Sequence, residues 1–202
     1  MLPEPLSKLL AQQLLFILEV DKLKNVLRKN HVLTAPRKEN SAEHSWHLIL
    51  MAMVLVEYSN EKIDLLQTLK LLAIHDLVEI EAGDTFLYAR GDAETLFSKE
   101  FQAAEKIFNL LPKEQREAFL NLWLEFEKGT TSEARFAKSL DRFLPMLLNF
   151  SSNGNIWREF SITPSMVLQK NESIKEGSQQ LWIAAQQLID KAIQNNFFKE
   201  PI

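Results

Sequence analysis

LLAIHDLVEIEAGD (residues 71–84) begins as an apolar helix and then sets His75, Asp76 and Glu79 among Leu72, Val78 and Ile80. Polar groups on an apolar face cost free energy unless something pairs with them. Gly83 is a natural C-terminal stop, so the stretch reads as the end of a helix over about 61–81, with a loop over about 84–92 after it.

Working outward, five glycines in 202 residues and scarcely any period-two alternation make the chain all-α. Helices are expected near 5–28, 42–58, 93–110, 113–128 and 131–150, with Asn40 or Ser41 capping the second, Pro112 separating the third from the fourth, Gly129 ending the fourth, and Pro145 kinking or interrupting the fifth. Residues 29–40, with Pro36, and 151–164 read as loops, and a last amphipathic helix covers about 165–195. The expected organisation is a helical bundle over 1–150 with a C-terminal loop and helix, 151–202, packed on the same domain.

A hydrophobic content of 46% supports a substantial core. The net charge is −4 and no long Lys/Arg run occurs, which argues against duplex nucleic acid or an anionic membrane as partner. The absence of cysteine excludes disulfides, zinc–thiolate sites, iron–sulfur clusters and a thiol nucleophile. The first twenty residues lack a basic start, and Gln12, Gln13 and Glu19 break their apolar run. Neither a signal peptide nor a membrane span is expected there, and a cytoplasmic protein is.

Three helices carry unexpected polar residues on their inner faces. His44 shares a face with Leu48, Met51 and Leu55; His75 and Asp76 are adjacent, with Glu79 one turn on; Asp141 shares a face with Ala137, Leu144 and Leu148. One divalent ion where the helices meet would satisfy His44, His75, Asp76 and Asp141 together, and imidazole with carboxylate suits Mn, Fe, Co, Ni or Zn better than Ca or Mg. The bland alternative pairs each histidine with a backbone carbonyl and Asp141 with Arg142 or Arg135. His47, one turn from His44, needs no metal, and His31 reads as a surface residue. The runs around Trp123 and Trp182 read as packing or subunit-contact faces.

RKENSAEHSWHL (37–48), IHDLVEIEAGD (74–84) and EARFAKSLDRF (133–143) together resemble the HD-domain metal-dependent phosphohydrolases, and within them the 5'-deoxynucleotidase branch, over about residues 10–150. The resemblance implies an HD-type bundle with one divalent transition-metal ion per subunit on His44, His75, Asp76 and Asp141. It gives Glu79 the place of the catalytic carboxylate and Asp84 that of an acid lining the nucleotide site. Arg28 falls where the family holds the substrate phosphate, with Lys29 beside it, and Arg37, which opens and braces the first motif, is expected with them among the substrate-binding residues. The reaction implied is hydrolysis of a (deoxy)nucleoside 5'-monophosphate or another phosphomonoester, by a homodimer. Two departures leave the sugar preference open: Lys29 stands where the bacterial enzymes have Trp, and the Arg28–Arg37 spacing is one residue longer. A di-iron oxygenase of the same superfamily and a non-catalytic nucleotide- or metal-binding scaffold are the competing readings. Only four histidines occur and none follows His75, which favours a single metal.

Overall fold

Ser7 starts the first helix, its hydroxyl accepting from the Leu10 N–H, and α1 runs over Lys8–Val20. In this computed structural model residues 6–89 and 91–199 are described. The expected helix start at residue 5, and Arg90 in the 84–92 loop, lie outside them. A 3-10 turn over Asp21–Asn25 follows α1, and the chain then becomes a strand instead of continuing as helix to 28. Strands β1 (Leu27–His31) and β2 (Lys38–Asn40) pair antiparallel, Leu27 with Asn40 and His31 with Lys38, where a loop is expected. The sequences LRKNH and KEN carry no apolar alternation, so nothing local announces them.

Asn40 and Glu43 form a reciprocal capping box that fixes the start of α2 (Ser41–Leu55). Asp64 accepts from the Leu66 and Gln67 N–H groups and starts α3 (Leu65–Ile74) later than expected. At the histidine the helix tightens into a 3-10 turn, His75–Val78, before a short α4 (Glu79–Ala82) ends at Gly83, whose φ of 76° only glycine adopts freely. Helices α5 (Ala93–Phe108), α6 (Lys113–Lys128) and α7 (Ser132–Ser151) are capped by Asp92, Pro112 and Thr131. Pro145 lies inside α7 without ending it. The C-terminal portion is more broken than expected: α8 (Asn155–Glu159) stands in the expected loop, and α9 (Pro164–Asn171), α10 (Ile174–Gly177) and α11 (Gln179–Gln194) replace one long helix.

Two apolar clusters form the core. One gathers Leu48, Leu71, Leu72, Phe136, Leu140 and Leu144 with Trp157, Ile174 and Ile189, so α8, α10 and α11 close over α7 as part of the same core. The other gathers Phe16, Leu77, Val78, Ile107, Phe108 and Trp123. Trp123 is fully buried, a packing residue, and Trp182 packs half-buried against the first cluster. The break at His75 falls at the seam, since Leu71 and Leu72 belong to one cluster and Ile74, Leu77 and Val78 to the other. Among the described residues no helix is long and apolar enough to cross a membrane.

Candidate active site

His44, in the second turn of α2, is completely buried, and its Nε2 lies 3.0 Å from Asp141 Oδ1. His75 is fixed from behind: its Nδ1 donates to the Leu72 carbonyl at 2.9 Å. A carbonyl can only accept, so Nδ1 carries a proton, and in the neutral ring the Nε2 lone pair faces inward. There it meets Asp76 Oδ1 at 3.0 Å and Asp141 Oδ1 at 3.9 Å and finds no hydrogen-bond donor. A lone pair crowded by carboxylate oxygens is an arrangement that a cation reconciles. The ligating atoms of His44, His75 and Asp141 all lie within 4.8 Å of one another, and Asp76 adjoins them through His75. The donor set therefore fits a divalent ion, and the structure brings together all four residues expected to hold one.

The electrostatics agree. Burial and the Arg28 charge push the His44 imidazole down, but Asp141, Glu39 and Asp76 more than reverse this, to about 9. Burial pushes Asp141 upward, but the hydrogen bond with His44 and the positive charge nearby hold it well below the usual carboxylate range. A cation placed between them would take over the neutralisation.

Arg28, on β1, is embedded among carboxylates. Its Nη1 donates to Asp76 Oδ2 at 3.1 Å and lies 3.8 Å from Asp84 Oδ1, and its Nε lies 3.9 Å from Glu39 Oε2. Burial disfavours the charge, but Asp76, Asp141, Glu79 and Asp84 outweigh it and keep the guanidinium protonated. Glu79 accepts from the Ser41 hydroxyl at 2.6 Å. Burial, then the Asp76 charge, push it up to about 8 against Arg28 and Ser41. Burial also raises Asp84, opposed by Arg28.

These groups open on a cavity of about 670 Å³. One face of α7 forms its floor: Lys138, Asp141, Arg142, Pro145, Met146 and Asn149 all line it, as their helical spacing allows. Arg28, Lys29, Glu79 and Asp84 line it too, with Lys29 Nζ 6.0 Å from the centre of the Phe160 ring. Arg37 is the exception. It is not among the cavity residues, and its exposed guanidinium forks onto Glu43 at 2.6 and 2.8 Å, which places it as a brace of the α2 capping box. His47 lies half-buried beside Trp46, apart from the cluster.

Sequence reasoning missed Glu39. It is buried, and its Oε2 lies 3.7 Å from His44 Nδ1, too long for a hydrogen bond but near enough to help raise the imidazole. It also missed the wall formed by Tyr88, Trp157 and Asn171. Asn149 could have been found from its place two turns along the face of Asp141.

The family model described as HD domain matches residues 20–182, continuing past residue 150. Human 5'-deoxynucleotidase HDDC2 is 30% identical over 128 residues, covering 63% of this chain and 61% of that protein. The 5'-deoxynucleotidase hdd1 of Schizosaccharomyces pombe is 29% identical over 111 residues, 53% of this chain and 54% of that one. The chain thus spans about three fifths of the length of the human relative. A crystal structure of a predicted metal-dependent phosphohydrolase from Magnetospirillum magnetotacticum MS-1 superposes with a TM-score of 0.91 at 39% identity, covering 99% of this chain and 100% of that one.

Proposed function

Because the chain belongs to the HD domain family, we propose that it is a metal-dependent phosphohydrolase that releases phosphate from nucleoside 5'-monophosphates, deoxynucleotides among them. The observation that carries this reading is the inward lone pair of His75 set against Asp76 and Asp141 beside His44. The full-length likeness to the Magnetospirillum protein supports a phosphohydrolase, and the names of the human and fission-yeast relatives support a nucleotide substrate.

His44, His75, Asp76 and Asp141 would hold one ion, of the Mn, Fe, Co, Ni or Zn type that suits imidazole and carboxylate. When bound, such an ion neutralises charge on phosphoryl oxygens and acidifies water. The rest falls to the chain. The Arg28 guanidinium exchanges part of its contact with Asp76 and Asp84 for substrate phosphate, two of whose oxygens its planar fork can engage at once. Glu79, ionised, orients the attacking water and takes its proton. Asp84, which like Asp76 lies against Arg28 Nη1, holds the sugar or returns a proton to the leaving oxygen. Lys29 adds positive charge at the cavity wall.

The described residues hold one such His/carboxylate group, which favours hydrolysis over di-iron oxygen chemistry. Self-association as a homodimer is part of the proposal. Trp46, Leu50, Met53 and Val54 expose an apolar stripe along α2, at offsets of four, seven and eight, and a second copy would cover it. A cytoplasmic setting accords with the cysteine-free composition.

The test is a matrix of divalent ions against ribo- and deoxynucleoside 5'-monophosphates, read as released phosphate. Turnover with at least one ion, lost in Asp76→Ala, is expected. No release from any nucleotide with any ion, or oxygen consumption with two irons per subunit, would overturn the proposal.

A further inference from the structure

The far wall of the cavity carries two buried amides with unused acceptors. Asn149 is 6% exposed and Asn171 0%. The orientation of each is fixed, because each amide nitrogen donates to a helix carbonyl: Asn149 Nδ2 to Pro145 O at 3.0 Å, Asn171 Nδ2 to Val167 O at 2.8 Å. Both Oδ1 atoms are buried without a partner, and both residues line the cavity. A buried amide oxygen left without a donor is costly, so an acceptor pair beside a cavity of this size points to a ligand that donates.

The surroundings narrow the ligand. Tyr88 and Trp157 line the cavity as well, and aromatic surface there suits a flat apolar group. Asn149 lies eight residues beyond Asp141, about 12 Å along the axis of α7 at 1.5 Å per residue. Arg142, Pro145 and Met146 line the cavity between them. A phosphate near Asp141 and a flat ring near Asn149 and Trp157 match the two ends of a nucleotide.

We propose that this wall is a nucleobase subsite, and that Asn149 and Asn171 select bases carrying an exocyclic amino group. The inference rests on the nucleotide reading given above. Each asparagine turns its NH₂ to a helix carbonyl, with Asn171 Nδ2 also 3.5 Å from the Tyr88 hydroxyl, so the atom left without any partner on each is the Oδ1 acceptor, which an amino group on adenine or cytosine satisfies and a hydrogen or a carbonyl at that position does not.

The experiment compares kcat/KM for dAMP and for dCMP with that of the analogue of each carrying hydrogen in place of the amino group. The natural nucleotides are expected to be better by about ten- to a hundred-fold, the range for an unsatisfied buried acceptor. In Asn149→Leu and Asn171→Leu the ratio is expected to fall toward one. Equal kcat/KM for amino nucleotide and analogue in the wild-type protein would overturn the subsite and leave the phosphohydrolase reading standing. Should no nucleotide be hydrolysed, calorimetric binding of deoxyadenosine against its 6-hydrogen analogue decides the subsite separately. Preference for deoxyadenosine, lost in the leucine variants, supports it; equal binding or none overturns it. The wild-type comparisons decide the matter even if a leucine variant does not fold.

Discussion

A single hydrogen bond, from His75 Nδ1 to the Leu72 carbonyl, turns the histidine lone pair toward Asp76 and Asp141. His44 has no such bond at Nδ1, but the Glu39 carboxylate lies 3.7 Å from that nitrogen and helps raise the imidazole. Glu39→Gln should therefore weaken divalent-ion affinity by about 10–100-fold while leaving the four ligands in place, measurable by competition with a metal-binding dye. Glu79 makes two predictions. It takes a proton only when ionised, so kcat/KM falls as pH drops below its pKa, which is pushed up to about 8 by burial and Asp76 and is lowered again by a bound cation. Glu79→Gln should lose that limb of the pH–rate profile together with about 10²–10⁴-fold in rate. The raised pKa also bears on stability. Between the ordinary value of 4.5 and about 8 the folded protein keeps a proton that the unfolded chain releases, so stability falls as pH rises through that window. After chelation, Glu79→Gln should melt higher than wild type at the upper end of the window, with the difference vanishing below its lower end. The polar residues legible in the sequence were those that violate an apolar helical face, His44, His75, Asp76 and Asp141. Glu39 and Asn171 were not legible, because a polar residue beside other polar residues gives no sign that tertiary packing buries it, whereas Asn149, between Leu148 and Phe150, carried a signal that went unread.

Among the elements, α7 is the floor of the site and depends on the close approach of α10. A Cβ on Gly177 would lie 2.2 Å from the Arg135 carbonyl oxygen, so any side chain there forces the two helices apart. Gly177→Ala should cost about 1–3 kcal/mol in denaturant unfolding, as overpacking does. The long capped helices α5, α6 and α7 follow their sequence signals closely: Asp92, Pro112, Gly129 and Thr131 mark their ends without help from distant residues. Tertiary partners decide the elements that departed from expectation. Ser178 breaks the expected C-terminal helix because its hydroxyl donates to the Tyr58 carbonyl at 2.6 Å while accepting from the Leu181 N–H. The β1–β2 hairpin has no apolar pattern of its own, and it positions Arg28 over Asp76. The 3-10 turn at His75 likewise has no local signature, since Leu71, Leu72, Ile74, Leu77 and Val78 would pack as well on a continuous helix face.

At the scale of the whole molecule, α7 through α11 share one apolar cluster with α2 and α3. We propose that residues 151–199 belong to the same cooperative unit as the bundle, so calorimetry should show one unfolding transition, and a chain ended at residue 150 should expose Phe136, Leu140 and Leu144 and aggregate. Two independent excursions would refute this. The site is a whole-molecule property as well, since the groups proposed to hold the cation come from α2, the turn after α3, and α7, which meet only in the folded chain. The most direct test of that convergence is elemental analysis of the purified protein alongside phosphate release from a deoxynucleoside 5'-monophosphate, for wild type and Asp141→Ala. About one transition-metal ion per chain in the wild type, with metal and turnover both lost in the variant, is the predicted result. A wild-type protein that turns over equally well after its metal has been stripped would contradict the account.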